Sequence, residues 1–193
     1  MRIKQVIEES IEVKQKLLND VRLLNNIQSC VDMIIDTYKN AGKVLFCGNG
    51  GSAADAQHLA AELSGRFYYD REPLNAEALH VNTSYLTAVA NDYSYDVIFE
   101  RMVKAAGKPG DVLIGISTSG NSVNILNAMK TAKAKNMHTV AFTGQGGGKM
   151  KEFTDILLDV PSLDTPRIQE VHIMMGHIIC ELVEKSLFPV KVQ

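Results

Sequence analysis

The amino-acid sequence predicts an α/β fold, a doubly wound five-stranded parallel sheet with an N-terminal helical extension. Three observations predict it. Five short apolar runs recur along the chain, and segments with helical spacing separate them. The first and third runs lead directly into glycine-rich and serine-rich turns, as buried parallel strands do. The first forty residues, by contrast, show helical spacing alone. Alternating strands and helices imply a parallel sheet covered on both faces.

The N-terminal extension is predicted to contain two amphipathic helices. Apolar side chains from Ile3 to Leu24 recur near helical spacing, with lysine and glutamate between them. A second helix is predicted from Ile27 to Tyr38, ended by Gly42.

The other predicted elements alternate along the rest of the chain. Strands are predicted at residues 43–47, 76–81, 111–116, 138–143 and 156–160. Helices are predicted at 53–63, 84–89 with 95–105, 123–135, a short segment at 149–153, and about 167–185. No internal repeat, low-complexity tract or linker interrupts this alternation, so residues 1–193 are predicted to form a single domain.

Composition argues against several kinds of partner and location. The formal net charge is −2, which gives no basic surface for nucleic acid or for an anionic membrane. No apolar run is long enough to span a bilayer, and the N-terminal segment has no continuous apolar stretch typical of a signal peptide. Cys30, Cys47 and Cys180 are few and unpatterned, which is typical of buried thiols in a reducing compartment. We therefore expect a cytoplasmic protein without nucleic-acid or membrane partners.

Two polar loops are candidate anion sites. Residues 47–52 (CGNGGS) follow the first strand and residues 117–122 (STSGNS) follow the third, and each runs directly into a helix. Close backbone approach, hydroxyl groups and helix N-termini can hold a phosphate without basic residues. In a flavodoxin-like strand order, these two loops open at one crevice. Taken singly, each loop is as well explained as a turn or a helix cap without a ligand, and the spacing of Ser52 and Asp55 resembles a capping box.

Ionisable side chains occur at helical spacing near these loops. His58 and Glu62 share one face of the helix after the first loop, and Gln169 and His177 share one face of the last helix, with His172 near that stripe. A solvated His–Glu pair and a core histidine are the competing explanations. Two imidazoles, a carboxylate and an amide oxygen also suit a tetrahedral zinc ion. Dinucleotide binding is disfavoured because residues 48–52 lack both G-x-G-x-x-G and a P-loop lysine.

The motifs, in their order, resemble one family over essentially the whole chain. They are residues 47–52, His58-x-x-x-Glu62, Asn91-Asp92, residues 115–122, Thr143-Gly144, residues 147–150 and residues 167–170. This set resembles the phosphoheptose isomerases of the sugar-isomerase (SIS) domain superfamily. The resemblance implies an SIS fold with residues 1–40 used in packing of a homotetramer.

The resemblance also implies roles for individual residues. Glu62 and His177 would be the acid–base pair, and zinc would be held by His58, Glu62, Gln169 and His177. Arg66 is a further candidate for substrate binding. The substrate would be bound at Asn49, Gly50, Gly51, Ser52, Glu62, Asn91, Asp92, Ser117, Thr118, Ser119, Ser122 and Gln169.

The implied reaction is an aldose–ketose isomerisation of a sugar phosphate. Sedoheptulose 7-phosphate would become D-glycero-D-manno-heptose 7-phosphate through an enediol, the first step in making the heptose of the lipopolysaccharide core. Some relatives carry an acidic residue where this chain has Pro166, so any role of that carboxylate is missing here. The alternative is a non-catalytic phosphosugar-binding module or a protein that associates with a replication initiator. The initiator-binding relative lacks the acid–base residues that match Glu62 and His177.

Overall fold

A computed structural model describes residues 1–189 and confirms the predicted α/β class. All five strands are parallel, in the order β2-β1-β3-β4-β5. The strands are β1 (Val44–Gly48), β2 (Ala76–Ala78), β3 (Val112–Ser117), β4 (His138–Thr143) and β5 (Ile156–Asp159). The helices are α1 (Arg2–Leu18), α2 (Val21–Lys39), α3 (Gly51–Ser64), α4 (Thr83–Asp92), α5 (Ile98–Ala106), α6 (Val123–Ala134) and α7 (Thr165–Leu187). Two 3-10 segments lie at Tyr95–Val97 and Gly148–Phe153.

The two faces of the sheet form two core clusters. Successive side chains on a strand point to opposite faces, so Phe46 and Ile114 join a cluster with α1, α2, α3 and α7. Leu45 and Leu113 join a second cluster with α4, α5 and α6. Every residue of β1 and β3 is buried, which explains why both strands are continuous apolar runs.

The boundary between the first two helices was predicted wrongly. Val21 and Leu24 belong to α2, because Asp20 begins that helix and its Oδ1 accepts a hydrogen bond from Leu23 N at 3.0 Å. The amphipathic stripe continues through this break, so periodicity alone does not reveal it. At the end of α2 the left-handed residue is Ala41, with φ 58°, and not the predicted glycine.

The second strand is shorter than predicted. It pairs with β1 only from Ala76 to Ala78, whereas residues 76–81 were predicted. Asn82 then caps α4 by accepting from Tyr85 N at 3.0 Å, which turns the chain away from the sheet. No helix within residues 1–189 is long and apolar enough to cross a membrane. The single-domain assignment of 1–193 stays a prediction, and residues 190–193 lie outside the described chain.

Candidate active site

The glycine-rich and serine-rich loops leave neighbouring strands. β1 and β3 are paired in parallel from Val44 and Val112 to Gly48 and Ile116, so their carboxyl ends lie at the same edge of the sheet. The strand order reverses its direction of winding between them, which is where α/β sheets bind ligands. The geometry therefore places both candidate anion loops beside one crevice.

Three ionisable side chains meet where α3 faces α7. His58 Nε2 lies 3.0 Å from His177 Nε2 and 3.3 Å from Glu62 Oε1. Half of the His58 side chain is exposed, against 23% for Glu62. A direct contact between two ring nitrogens requires that one donates and the other accepts. The predicted pair His58–Glu62 and the distant His177 thus form one cluster that solvent can reach, whereas Gln169 lies outside it.

The close approach of α3 and α7 depends on Gly176. A Cβ atom at Gly176 would overlap with the side chain of Leu59, which is buried in α3. A Cβ atom at Gly51 would overlap with the amide of Gln169. Gln169, near the start of α7, therefore packs directly on the glycine-rich loop. The middle of α7 faces His58 and Glu62.

The predicted capping box at the start of α3 is wrong. The N-cap residue is Gly50, with φ 57°, and Ser52 is already buried inside the helix. Asp55 instead has a buried Oδ2 atom without a hydrogen-bond partner in the described chain. Burial raises the pKa of the Asp55 carboxyl, and the nearby His58 lowers it by less. The sequence did not predict that the partly buried Asp55 carboxyl lies next to the histidine cluster, because the spacing of Ser52 and Asp55 is that of an ordinary helix cap.

In the serine-rich loop, hydroxyl groups converge. Ser117 Oγ lies 3.0 Å from Ser122 Oγ and 3.4 Å from Ser119 Oγ. Ser122 is the N-cap residue of α6, so the hydroxyls cluster at a helix N-terminus. Neutral donors at a helix N-terminus form a suitable environment for a phosphate.

A cavity of about 170 Å³ extends from the serine-rich loop to the start of α7. Thr118 and Ser119 line one side. The other lining residues were not predicted from the sequence: Gln145, Ser162, Leu163, Thr165 and Ile168. They come from two separate loops and the first turn of α7, and no spacing motif connects them.

The remaining predicted residues lie on separate elements and differ in exposure. Asn49 is half-buried and exchanges hydrogen bonds with Asn124, 2.9 Å in each direction. Asn91 and Asp92 are exposed at the end of α4, and Asn91 Nδ2 donates to Asp92 Oδ1 at 2.9 Å. Arg66 and Pro166 are exposed on the loop after α3 and in the first turn of α7. Asn124 and Tyr95, which both bind Asn49, were missed by the motif analysis.

His172 is a core residue, although the sequence placed it near the stripe of His177. It is fully buried, and its Nε2 lies 3.0 Å from the carbonyl oxygen of Thr143. Burial lowers the pKa of His172 from 6.5 to about 4, and the hydrogen bond to Thr143 only partly opposes this. His172 is therefore neutral near pH 7, with Nε2–H as the donor to the Thr143 carbonyl.

The structure does not test the predicted zinc ion. Within residues 1–189, no ready-made group of three or more His, Cys, Asp or Glu side chains is arranged to hold a metal ion. Two donor-atom separations are nevertheless compatible with one. Ligands at about 2.0–2.1 Å in a tetrahedral site are about 3.3 Å apart, and the two contacts of His58 Nε2 measure 3.0 and 3.3 Å.

The fold and the two polar loops define a doubly wound α/β domain with a crevice between β1 and β3, and comparison with known families agrees. A family model described as SIS domain matches residues 10–144. The match includes both loops and α3 but ends before α7.

Relatives match nearly the whole chain. A phosphoheptose isomerase of Clostridium acetobutylicum is 57% identical over 98% of this chain and 97% of its own. One of Mycobacterium tuberculosis is 53% identical over 95% of this chain and 94% of its own. The solved phosphoheptose isomerase of Neisseria gonorrhoeae is 44% identical, with a TM-score of 0.90 over 95% of this chain and 97% of that one. The chain belongs to the SIS domain family and, within it, to the phosphoheptose isomerases.

Proposed function

We propose that the chain is an aldose–ketose isomerase that converts sedoheptulose 7-phosphate to D-glycero-D-manno-heptose 7-phosphate. The observation that carries the proposal is the contact of Glu62, His58 and His177 between α3 and α7, in a fold whose two polar loops leave the same edge of the sheet. A carboxylate and an imidazole are the groups needed for proton transfer at carbon and at oxygen. The names of relatives that match nearly the full chain support the same reaction.

Isomerisation moves hydrogen between two neighbouring carbons through an enediol. Glu62 removes a proton from C1 of the ketose and returns it to C2. Between these steps the C2 carbonyl oxygen gains a proton and the C1 hydroxyl loses one. In the contact of His58 with His177, one Nε2–H donates to the lone pair of the other Nε2, and this contact orients the His177 ring. His177 would deliver and collect the two oxygen-bound protons once the substrate oxygens replace His58 as its partner.

The two loops give the substrate its position. The converging hydroxyls of Ser117, Ser119 and Ser122 would donate to the phosphate. The glycine-rich loop and Gln169, which packs on it, would face the carbon chain. Holding both ends of a flexible substrate lowers the entropic part of the barrier.

Zinc is part of the proposal, with His58, Glu62, Gln169 and His177 as its ligands. The two separations at His58 Nε2 support His58, Glu62 and His177 as donors, and Gln169 is included on the resemblance alone. When bound, the metal would polarise the substrate carbonyl as a Lewis acid. A carboxylate that binds a metal is a poorer base, so either the bond of Glu62 to the metal would loosen in the reactive complex or the metal would have a structural role.

The acid–base assignment is tested by removing each group at constant size. In an assay that follows aldose 7-phosphate formation, Glu62→Gln and His177→Gln should each lower kcat roughly 10²–10⁴-fold. Glu152→Gln and His138→Gln change exposed residues in the same way and should leave kcat unchanged. Wild-type turnover in Glu62→Gln would sink the proposed mechanism.

We extend the proposal to assembly and location. A homotetramer is supported by the exposed apolar residues Ile3, Ile7 and Ile11 of α1, each more than half exposed. A cytoplasmic location is supported by the three cysteines, which are unpaired and buried. The alternative, a non-catalytic binding module, is not favoured, since relatives over nearly the whole chain are named isomerases.

A further inference from the structure

Two side chains outside the polar loops, Asn124 and Tyr95, form a hydrogen-bonded unit with Asn49 of the glycine-rich loop. Asn49 Nδ2 donates to Asn124 Oδ1 and Asn124 Nδ2 donates to Asn49 Oδ1, both at 2.9 Å. The hydroxyl of Tyr95 donates to Asn49 Oδ1 at 3.1 Å. Asn124 is 3% exposed, so this amide pair is shielded from water on the side of α6.

The direction of every hydrogen bond in this unit is set by one backbone group. Ile125 N–H can only donate, and it lies 3.0 Å from Asn124 Oδ1. That contact identifies the oxygen of the Asn124 amide, so its Nδ2 faces Asn49 and must meet an oxygen there. Asn49 Oδ1 therefore faces both Asn124 and Tyr95, and the Tyr95 hydroxyl must be the donor.

Counting donors and acceptors then defines what Asn49 can offer a ligand. An amide oxygen has two acceptor positions, and Asn124 and Tyr95 occupy both. An amide nitrogen has two N–H groups, and Asn124 Oδ1 takes one. The remaining N–H is a single donor with a fixed direction on the glycine-rich loop.

We propose that Asn124 and Tyr95 are positioning residues that fix Asn49, and with it the glycine-rich loop, so that Asn49 presents one N–H donor to an oxygen of the substrate. The inference rests on the proposed function for the identity of that substrate. Neither residue touches the reacting atoms. Tyr95 also follows Asn91 and Asp92 closely in sequence, so its hydrogen bond ties their segment to the loop after β1.

The inference is tested first without any ligand. Hydrogen–deuterium exchange of the backbone amides of residues 48–52 is compared between wild type, Tyr95→Phe and Asn124→Ala. Tyr95 is 51% exposed, so Tyr95→Phe removes one hydroxyl with little effect on folding. We expect faster exchange in this loop for both variants. Tyr93→Phe, an exposed tyrosine two residues away, is the matched control and should exchange like wild type.

Kinetics with sedoheptulose 7-phosphate give the second readout. One lost hydrogen bond corresponds to roughly a 3–10-fold rise in KM for Tyr95→Phe, with kcat changed less. Because both residues act through Asn49, Tyr95→Phe and Asn124→Ala together should raise KM less than the product of their separate effects. Unchanged loop exchange and unchanged KM in Tyr95→Phe would overturn the inference. Absence of turnover in the wild type, with faster loop exchange in the variants, would overturn the proposed function alone.

Discussion

At the residue scale, His172 and His177 show how position on one helix separates a core histidine from a reactive one. Five residues along a helix correspond to a rotation of about 140°. His172 therefore faces the sheet, with its ring 5.7 Å from that of Phe142. His177 faces α3, with its ring 5.2 Å from that of His58.

The buried His172 predicts a pH dependence of stability. Its folded pKa of about 4 lies below the usual 6.5, so the unfolded chain binds more protons between these values. The contribution of neutral His172 to the free energy of unfolding is complete above about pH 6.5. As the pH falls toward 4, this free energy decreases by up to about 3 kcal/mol. Urea unfolding across this range should show that loss in the wild type. His172→Gln should reduce the change of the free energy of unfolding with pH, and the exposed His138→Gln should not. An equal pH dependence in the wild type and both variants would contradict this role of His172.

Residue types and their order predicted a set of candidate side chains for the chemistry. Spacing could place His58 with Glu62 and Gln169 with His177, because each pair lies on a single helix. It could not show that the two helices cross at Gly176, which is what brings His58 and His177 into contact. Spacing also could not reveal Asn124, because asparagine is common near the start of a helix and its hydrogen bonds to Asn49 are visible only in the structure.

At the scale of elements, the loop after α3 is held by a buried ion pair. Arg71 Nε lies 3.0 Å from Glu184 Oε1, and their side chains are 2% and 0% exposed. Arg71 also donates to the carbonyl oxygens of Glu62 and Leu63 at the end of α3. Burial alone would raise the pKa of Glu184, but hydrogen bonds from the Tyr68 and Phe67 amides and from Arg71 outweigh it, so the pKa is lowered.

Breaking this pair should destabilise the protein strongly. Glu184→Gln leaves the buried Arg71 guanidinium without a countercharge, and we expect a loss of about 3–5 kcal/mol in the free energy of unfolding. The exposed pair Lys185–Glu181 on the same helix is the control. Glu181→Gln should cost less than about 1 kcal/mol. Similar, small losses for both variants in denaturant unfolding would disprove the anchoring role.

The element boundaries that the sequence predicted wrongly have local causes. The break between α1 and α2 depends on the cap at Asp20, inside a stripe that remains periodic across it. The early end of β2 depends on the cap at Asn82 and on how far β1 extends beside it. The parallel sheet covered on both faces, by contrast, followed from the alternation of strands and helices, which is a general rule.

At the scale of the whole molecule, α1 has apolar side chains on two faces. Val13 and Leu17 are buried against the core, while Ile7 and Ile11 are 55% and 58% exposed. A second apolar face of this kind is expected where another subunit packs. Sequence periodicity predicted one broad apolar stripe and did not show which part of it packs on the core of the same chain.

The proposed tetramer predicts that charge on the outer face of α1 weakens assembly. Ile7→Glu together with Ile11→Glu would place two carboxylates in an apolar contact, and light scattering should show smaller species at equal protein concentration. Gln15→Glu adds charge at an exposed polar position of the same helix and serves as the control. A wild-type protein that is monomeric by light scattering would refute the tetramer directly.

The central claim is that Glu62 moves a proton between C1 and C2 of a heptose phosphate. The most direct measurement is NMR of sedoheptulose 7-phosphate incubated with the wild type and with Glu62→Gln in deuterium oxide. The account predicts an aldose 7-phosphate that carries deuterium at C2, formed by the wild type and at a greatly reduced rate by the variant. Aldose formed at equal rates by both proteins, or no aldose from a wild type that the sugar phosphate still protects from thermal unfolding, would contradict it.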